Sequence, residues 1–547
     1  MTSQNDLLSL ILTDPGDFMK SRFILFFLFV LCLFSLAYPQ YTNVRVSSLI
    51  SSSPPSFPPE EVTIAVNPTD PMNLIAGANL RYVYFSTDGG WSWTENQLPS
   101  GTWGDPCVIF DANGHAYYAH LANLPSPGYF IDRITVHRSS NGGKTWYDSV
   151  ATPVIFPKQQ DKEWMACDYS NTAYHNNIYM AWTEFDVYGS AAPTDSSRIL
   201  FARSTDGGTT WSLPMKISDK GGDCIDDDNT VEGAVPAVGP NGEVYTAWSG
   251  PLGIMFDRSF DGGVSFGNDI FVSAQPGGWA FDIPGISRCN GLPITACDVS
   301  ISPYRGTVYV LWSDQRSGLN NTDVFLSKST NQGSSWSTAK KVNGDGGTAQ
   351  QFFPWLAVDQ SNGYLYAAFY DRRNYTAGDS TTDVFVARST DAGDTWSNFQ
   401  VSQVPFLPRS SVFFGDYMNI AASNGKVFPI WMRLDTLKLS VWTALIDDVV
   451  GVEDQPAAHN LSFELGNNYP NPFNPSTTVP FTLAQRAHVR LKVFDMLGRH
   501  CATLVDRELP AGKHFARFYV DDLPSGSYVY ELDTGAFRES KKLVIAR

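Results

Sequence analysis

The stretch Ser86-Thr87-Asp88-Gly89-Gly90-Trp91-Ser92-Trp93 is the first of six related segments in this chain. They share the template Ser-x-Asp-x-Gly-x-x-Trp, and the other five copies span 139–146, 204–211, 259–266, 329–336 and 389–396. Asn replaces Asp in two copies, and Phe replaces Trp in one. Because the copies recur at intervals of roughly 53–70 residues, the pattern predicts an array of equal supersecondary units.

Each copy has the composition of a tight β-hairpin turn. Asp or Asn accepts hydrogen bonds from backbone N–H groups of its own turn, glycine adopts positive φ at little cost, and the aromatic ring covers the hairpin and the neighbouring unit. The pattern resembles the Asp-box (BNR) repeat of sialidase-like β-propellers. We therefore expect a structural role for Asp88, Asn141, Asp206, Asp261, Asn331 and Asp391.

Residues 61–447 consist of one such unit after another. Six units carry the turn motif, and a seventh, beyond the last copy, has three predicted strands and no motif. A strand within 42–49 would complete this unit and close the ring without leaving an open edge. The fold class is therefore all-β, with a seven-bladed β-propeller favoured. Six blades, the number in the sialidases that share the repeat, is the alternative.

Residues 465–547 have a different pattern, with alternating apolar residues between Gly- and Pro-containing turns such as 469–475 and 523–526. About six or seven short strands of this kind predict a small Ig-like β-sandwich. The segments 493–499 and 509–514 complete a close resemblance to the type A sorting domain of the type IX secretion system. This resemblance implies that the secretion machinery is a partner and that the protein is secreted or held at the cell surface. Residues 448–464 form the predicted linker.

The N-terminal segment has the features of a secretory signal peptide. Lys20 and Arg22 precede an apolar run over 23–37 that ends in small residues, which predicts a leader over 1–37. Pro- and Ser-rich residues then form a lead-in over 38–60, which contains the candidate closing strand. The run is short for a membrane span, so we expect no transmembrane anchor.

Charge and cysteine usage exclude some classes of function. The formal net charge is −17 and no basic stripe is visible, which argues against a nucleic-acid partner. Six of the seven cysteines follow the predicted leader, and export permits disulfides. Cys289 and Cys297 enclose a short loop and are the expected pair. The spacing of Cys and His residues gives no support for zinc.

Antiparallel connectivity separates the turn motifs from the expected ligand site. Each motif joins the third and fourth strands of a unit, so loops between units lie at the opposite face. Carboxylates stand before or near the predicted inner strands, and arginines follow the predicted second strands. On this basis the candidate catalytic residues are Tyr417, Glu232, Asp105 and Asp161, with Tyr370 as a second tyrosine. The candidate substrate-binding residues are Arg316, Arg372, Arg373, Arg433 and Trp355.

These residue types fit the chemistry that the resemblance to sialidases implies. An arginine cluster would clamp a substrate carboxylate, a tyrosine activated by a carboxylate would attack the anomeric carbon, and an aspartate would serve as general acid. However, the Phe/Tyr-Arg-Ile-Pro signature of that family is absent. In-blade salt bridges are the alternative role for Arg316 and Arg372.

The acidic run that includes Asp226, Asp227 and Asp228 suggests a cation site, for which calcium is the natural ion. A solvated acidic loop is the alternative. For the whole protein we expect an exo-glycosidase, sialidase-like in its repeat, that acts on extracellular glycans or glycoproteins. The alternatives are a non-catalytic surface propeller that binds glycan or protein, and a polysaccharide lyase.

Overall fold

The computed structural model describes residues 41–48, 59–99, 101–123, 129–147, 149–153, 155–376, 378–435, 438–447, 463–468, 471–483, 487–509, 512–520, 523–535 and 537–546. Every regular element in these residues is a β-strand. Within this part of the chain, no helix has the length and apolarity needed to cross a bilayer. The chain divides into two compact units, Met1–Asp447 and Asp448–Arg547. The predicted leader and most of the predicted linker lie outside the described residues.

The first unit contains seven four-stranded antiparallel sheets, which we call blades. The first strand of the chain, β1 (Thr42–Arg45), belongs to the last blade. Blades one to three follow in chain order and consist of β2 (Thr63–Val66), β3 (Leu74–Ala78), β4 (Tyr82–Ser86), β5 (Thr94–Gln97), β6 (Thr102–Phe110), β7 (Ala116–Ala122), β8 (Ile134–Ser139), β9 (Val150–Ala151), β10 (Gln159–Cys167), β11 (Ile178–Phe185), β12 (Ser197–Ser204) and β13 (Met215–Lys216).

Blades four to six repeat this arrangement, and blade seven adds three strands to β1. Their strands are β14 (Glu232–Val238), β15 (Val244–Ser249), β16 (Ile254–Ser259), β17 (Ile270–Ser273), β18 (Ile294–Cys297), β19 (Val308–Asp314), β20 (Asp323–Ser329), β21 (Lys340–Lys341), β22 (Gln351–Asp359), β23 (Tyr364–Asp371), β24 (Asp383–Ser389), β25 (Ser397–Gln400), β26 (Asn419–Ser423), β27 (Lys426–Asp435) and β28 (Lys438–Asp447).

The seven blades form a closed ring. Each inner strand contacts the inner strand of the next blade, in the order β2, β6, β10, β14, β18, β22, β26 and back to β2. The ring closes within blade seven, where β1 pairs antiparallel with β28 and Thr42 lies opposite Leu445. This arrangement confirms the predicted seven-bladed β-propeller and the closing role of the N-terminal strand.

Strand register defines two faces of the propeller. In blade three, Cys167 at the end of β10 aligns with Ile178 and with Ser204, where the turn motif begins. Asp161 lies six residues before Cys167, which places it about 20 Å away along the strand. We call the end with the turn motifs the turn face. The opposite end, where the inner strands begin, is the mouth face.

The six turn motifs share one set of hydrogen bonds. In every copy the serine hydroxyl donates to the Asp or Asn side chain over 2.7–3.0 Å and accepts from the glycine N–H over 2.8–3.0 Å. The same Asp or Asn oxygen accepts a second backbone N–H four residues later. These side chains are therefore occupied within their own turns.

Packing between blades depends on aromatic residues at repeated positions. Trp182, Trp248, Trp312 and Trp431 stand at matching places in the second strands of four blades, and all four are fully buried. The final aromatic residue of a turn motif packs against the preceding blade in two cases. Phe266 contacts Phe201, with ring centroids 4.7 Å apart, and Trp336 contacts Phe256 at 4.9 Å. Such pairs stabilise the interfaces beyond simple area burial.

The expected disulfide between Cys289 and Cys297 is wrong, because both residues are free, buried thiols. Cys289 packs in the apolar cluster that joins blades five, six, seven and one, whereas Cys297 packs in the cluster between blades four and five. The two side chains thus serve different inter-blade cores. Short spacing in the sequence did not bring them together.

The second unit is a two-sheet sandwich, as predicted. One sheet has three strands and the other has four, around an apolar core that includes Leu491, Tyr530 and Leu543. The strands are β29 (Glu464–Leu465), β30 (Ser476–Leu483), β31 (Ala487–Asp495), β32 (His500–Leu509), β33 (Gly512–Tyr519), β34 (Gly526–Asp533) and β35 (Arg538–Ile545).

Candidate functional site

The inner strands carry a repeated β-bulge near the mouth face. The register with the second strand shifts between Gly104 and Cys107, and at the matching point in blades three, four and six. Inside these bulges Asp105, Lys162 and Phe353 have positive φ values of 52°, 52° and 49°. A bulge redirects side chains, and strained non-glycine residues of this kind cluster at functional sites.

The bulges correct the predicted strand boundaries. Asp105 and Asp161 were expected before the starts of inner strands, but they lie within β6 and β10, and Glu163 lies within β10 as well. Glu232 is the first residue of β14. The reason is physical, because a bulge interrupts the alternation of side chains from which strand starts are recognised. The carboxylates are therefore held by the sheet itself.

Three aromatic residues form a wall, and each of them stands two positions after a residue with positive φ. Trp164 follows Lys162, Trp355 follows Phe353, and Tyr417 follows Gly415, whose φ is 82°. The ring centroids of Trp164 and Trp355 are 4.3 Å apart, and those of Trp164 and Tyr417 are 5.6 Å apart. These three residues line a narrow cavity of about 40 Å³ at the centre of the ring.

Lys162 is the centre of the charged network beside this wall. Its ammonium nitrogen lies 2.6 Å from Asp416, 3.6 Å from Asp105 and 3.9 Å from Glu61. Burial opposes its charge, but Asp105, Asp416 and Glu61 together raise its pKa well above the ordinary value. Lys162 is thus a permanent cation among three carboxyl groups that come from three other parts of the ring.

Arg288 provides the second cation, from the long loop between β17 and β18. Its Nε lies 3.0 Å from Asp416, and its Nη1 lies 2.9 Å from Asp226, which also accepts a 2.6 Å hydrogen bond from the Tyr188 hydroxyl. The Arg288 side chain is 44% exposed, whereas that of Asp416 is 1% exposed. Arg288 therefore covers Asp416 from the solvent side. Arg288 belongs to no sequence motif, so it could not be recognised as a site residue from the sequence.

Ionisation differs sharply among the carboxyl groups of this network. Burial opposes the charge of Asp416, but Arg288 and Lys162 outweigh it and hold its pKa below the ordinary value. Burial raises the pKa of Glu163 well above its ordinary value, and Asp105 adds to the effect. Both carboxyl oxygens of Glu163 are buried, and neither has a hydrogen-bond partner among the described residues. Glu163 and Asp416 line the same cavity.

Glu232 and Asp161 also have raised pKa values. Burial is the main cause for both residues. The charge of Asp226 also raises the pKa of Glu232, and the charge of Asp105 also raises the pKa of Asp161. The network thus contains seven carboxyl groups around the two cations Lys162 and Arg288. The carboxyl groups belong to Glu61, Asp105, Asp161, Glu163, Asp226, Glu232 and Asp416. The structure therefore brings the predicted residues Asp105, Asp161 and Glu232 into one network.

Tyr417 lies at the cavity but does not have the environment of an activated nucleophile. Its hydroxyl donates to the Pro106 carbonyl over 3.3 Å, and burial, with Asp105 and Glu61, raises its pKa well above the ordinary value. Tyr370 is fully buried and bonds to the backbone of Met432, away from the cavity. An activated tyrosine would need the opposite shift.

The predicted arginine clamp is not assembled. Arg316 pairs with Asp314 at 2.6 Å, Arg373 pairs with Asp371 at 2.6 Å, and Arg433 pairs with Asp435 at 2.8 Å. Each pair lies within a single blade or its loop. The in-blade salt bridge considered as the alternative role is present for Arg316, whereas Asp371 pairs with Arg373 and not with Arg372. None of these arginines, nor Arg372, lines the central cavity. Trp355 is the only predicted binding residue of this set that does.

The residues of the acidic loop do not fit a calcium site. Asp226 accepts from Tyr188 and Arg288, Asp228 accepts from the Ala280 N–H, and Asp227 accepts from the backbone of its own loop. In the described residues no group of three or more His, Cys, Asp or Glu side chains converges in a way that would hold a metal ion. The carboxylates are instead directed to different protein donors.

Comparison with known proteins identifies the second unit. Residues 467–546 match the family described as secretion system C-terminal sorting domain. This domain indicates export through that secretion system, and a secreted or outer-surface location. It also implies contact with the secretion machinery. No curated protein matches the chain.

The comparison with solved structures found matches of low sequence identity. The Hadza microbial sialidase Hz136 has a TM-score of 0.39 and 12% identity, over 69% of this chain and 73% of its own. An alpha-L-arabinofuranosidase from Fusarium graminearum has a TM-score of 0.41 and 12% identity, over 75% and 98%. A PL25 ulvan lyase has a TM-score of 0.41 and 10% identity, over 72% and 94%. Similarity at this level does not bear on the activity of this chain.

Proposed function

We propose that the central cavity at the mouth face is the active site of a glycoside hydrolase that acts on an extracellular glycan. The observation that supports this most directly is the pair Glu163 and Asp416, which line one cavity with opposite ionisation. A carboxyl group that holds its proton and one that stays ionised, both at one cavity, are the acid–base combination that glycosidic cleavage requires.

The two carboxyl groups have distinct roles in this proposal. Glu163 donates its proton to the leaving oxygen, since its carboxyl oxygens have no competing partner. Asp416 keeps its negative charge and stabilises the positive charge that develops at the anomeric carbon. A water molecule then adds to the anomeric carbon and gives a proton to the Glu163 carboxylate, which restores the acid and completes hydrolysis. Lys162 and Arg288 hold Asp416 ionised and in place. They act as positioning residues.

The charges around the cavity favour an uncharged sugar over an acidic one. Both cations of the network, Lys162 and Arg288, already pair with carboxylates, so an anionic substrate gains little from them. The wall formed by Trp164, Trp355 and Tyr417 offers aromatic faces of the kind that line small-molecule sites. We therefore expect a neutral sugar at the reacting position rather than a sialic acid.

Access to the cavity requires Arg288 to move. The closed cavity holds only a few water molecules, which is too little for a sugar ring. Arg288 is the exposed member of its ion pair with Asp416, so rotation of its side chain would uncover the carboxylate. The narrowness of the cavity is also the observation that favours the second candidate, a non-catalytic propeller that binds glycan at its rim.

A panel of fluorogenic glycosides, neutral and sialylated, tests the proposal on the full-length secreted protein. We expect turnover of at least one neutral glycoside, with a loss of 100-fold or more in kcat for both Glu163→Gln and Asp416→Asn. Glu243→Gln is the matched control, because Glu243 is a buried glutamate on the turn face. Glycan binding without turnover would favour the second candidate. Equal turnover by wild type and both variants would refute the proposal.

A further inference from the structure

A second, larger concavity lies on the mouth face between blades five and six. It has a volume of about 980 Å³ and is bounded by the loops around 317–321, 345–350 and 372–375. Pro284, from the loop that also carries Arg288, completes one wall. We call this concavity the groove. Its size suits an oligosaccharide, whereas the central cavity is more than ten times smaller.

Arg372 lines this groove as a buried cation that no carboxylate of the described residues contacts directly. The carboxylate of Asp379, which also lines the groove, acts on it only at longer range. Arg372 is 2% exposed, and no carboxylate in the described residues lies within ion-pair distance of its guanidinium group. Its donors reach neutral acceptors only: the Pro284 carbonyl at 2.7 Å, the Thr382 hydroxyl at 3.2 Å and the Gln350 side chain at 3.4 Å. A guanidinium group has five N–H donors, so two remain free of these contacts.

Two other arginines of the same blades differ from Arg372, because each of them has a carboxylate partner. Arg373 and Arg316 each have a carboxylate partner at 2.6 Å, whereas Arg372, the most buried of the three, has none. A buried charge without a counter-ion is costly, and the cost falls when a ligand provides the opposite charge. Burial lowers the pKa of Arg372 to about 10, which still leaves it charged at neutral pH.

The groove also contains unpaired acceptors. Asn321 Oδ1 and Asp345 Oδ2 are buried atoms with no hydrogen-bond partner in the described part of the chain. Both residues line the groove. Free donors on Arg372 and free acceptors on Asn321 and Asp345 together match a polyhydroxylated ligand, since each sugar hydroxyl can donate and accept.

From these contacts we infer that the groove binds an acidic oligosaccharide, with a carboxylate or sulfate group on the guanidinium of Arg372 and sugar hydroxyls on Asn321 and Asp345. An arginine fork matches either anion in bidentate geometry. This site lies outside the proposed active site and does not depend on its chemistry. Arg372 stands 5.2 Å from the ring centroid of Phe352, and the next residue, Phe353, lines the central cavity. A chain bound in the groove would thus lie beside the mouth.

Calorimetric titration of the full-length secreted protein tests the inference. The probes are a hexamer of galacturonic acid, a sulfated hexasaccharide and a neutral hexasaccharide, each at low and high salt. We expect the acidic probes to bind at least tenfold more tightly than the neutral one, with an advantage that shrinks at high salt. The stronger of the two acidic probes identifies carboxylate or sulfate as the anion.

Two pairs of variants link binding to the groove. Arg372→Gln should weaken binding of the acidic probe tenfold or more, while Arg372→Lys should retain part of it. Because Arg372 also holds Pro284, these variants are checked for folding by thermal unfolding. Gly346 lines the groove, and a Cβ built there meets no atom within 4 Å, so it accepts a side chain without strain. Gly346→Glu should weaken the acidic probe several-fold, and Gly346→Lys should strengthen it.

The outcomes separate this inference from the proposed hydrolase. Asp416→Asn should retain groove binding even where it abolishes hydrolysis. Failure of wild type to prefer acidic over neutral probes would overturn the inference. Identical affinities for Gly346→Glu and Gly346→Lys would also overturn it, even if neither Arg372 variant folds.

Discussion

Arg288 and Asp416 form a bidentate ion pair across the mouth of the propeller, although 128 residues separate them in the chain. Arg288 comes from the loop that leads into blade five, and Asp416 stands at the entry to blade seven. The same guanidinium group also contacts Asp226. One side chain thus ties together three separate inter-blade loops.

Replacement of Arg288 should reveal how much this pair stabilises the fold. Arg288→Gln removes one of the two cations that hold the pKa of Asp416 below its ordinary value. A carboxyl group with a lowered folded-state pKa stabilises the fold above its unfolded pKa of about 4, and loses that contribution as the pH falls. We expect a loss of about 1–2 kcal/mol at pH 7 that is smaller at pH 3, because the effect shrinks below about pH 4 and disappears only as the pH passes the lowered folded-state pKa of Asp416.

Urea unfolding at both pH values measures this effect. Arg316→Gln is a suitable control, because Arg316 pairs with Asp314 inside blade five and contacts no residue of the central network. A loss for Arg288→Gln that is unchanged by acid would show that packing, rather than the charge of Asp416, is responsible.

Glu60 should destabilise the propeller as the pH rises. Burial, followed by repulsion from Asp416, raises its pKa to about 8, and its Oε2 atom has no partner. Its proton is bound more tightly in the folded state, so stability is highest below about pH 4.5 and falls between there and about pH 8. Glu60→Gln imitates the protonated form. We expect it to be more stable than wild type by about 3 kcal/mol at pH 7.

The comparison for Glu60 uses urea unfolding at pH 4.5 and pH 8. The two proteins should be nearly equal at the lower pH, where Glu60 is protonated in the folded state and about half protonated in the unfolded state. A gain of the same size at both values would contradict the titration and point to a change in packing.

The turn motifs offer a test of their structural role. Asp206 accepts hydrogen bonds from Ser204 and from the backbone N–H groups of Thr209 and Thr210. Asp206→Ala should destabilise the propeller by about 1–3 kcal/mol, because several donors lose their acceptor at once. Asp206→Asn should cost less than about 1 kcal/mol, since Asn occupies this position in two native copies. Thermal unfolding of both variants, together with a binding or activity assay that should stay unchanged, measures the difference.

The free thiols make a simple prediction about reactivity. Cys107, Cys167, Cys224, Cys289 and Cys297 are buried, whereas Cys501 is half-exposed. In native mature protein, a thiol reagent should label Cys501 first, and the five buried thiols only after denaturation. Unfolding should also be insensitive to reductant. Intact mass analysis after alkylation, under non-reducing conditions, would show the loss of two labels if a disulfide were present.

The sequence was sufficient to predict the architecture because the fold repeats. Six turn motifs at similar intervals located the blades, and the incomplete seventh unit pointed to the N-terminal strand as its missing member. The Asp, Ser and Gly residues of the turns interact within their own segment, so local sequence carries that information.

The site was only partly predictable, because its contacts are not local. Carboxylates near the inner strands were found, but the bulges that place Asp105 and Lys162 leave no periodic signal. Arg288 is positioned by a long loop whose path depends on buried residues such as Phe281 and Ile286. Three of the four arginines chosen from the sequence have an aspartate two residues away and pair with it, so they do not converge at the mouth face.

The pairing of β1 with β28 has a consequence for the order of events during synthesis. These strands lie about 400 residues apart, so ring closure depends on contacts of very high sequence separation, which form late in folding. Until β28 has been made, β1 has no partner. The sorting domain, 467–546, emerges from the ribosome soon afterwards. Once the sorting domain has been synthesised, the chain therefore already contains every strand that is needed to close the propeller.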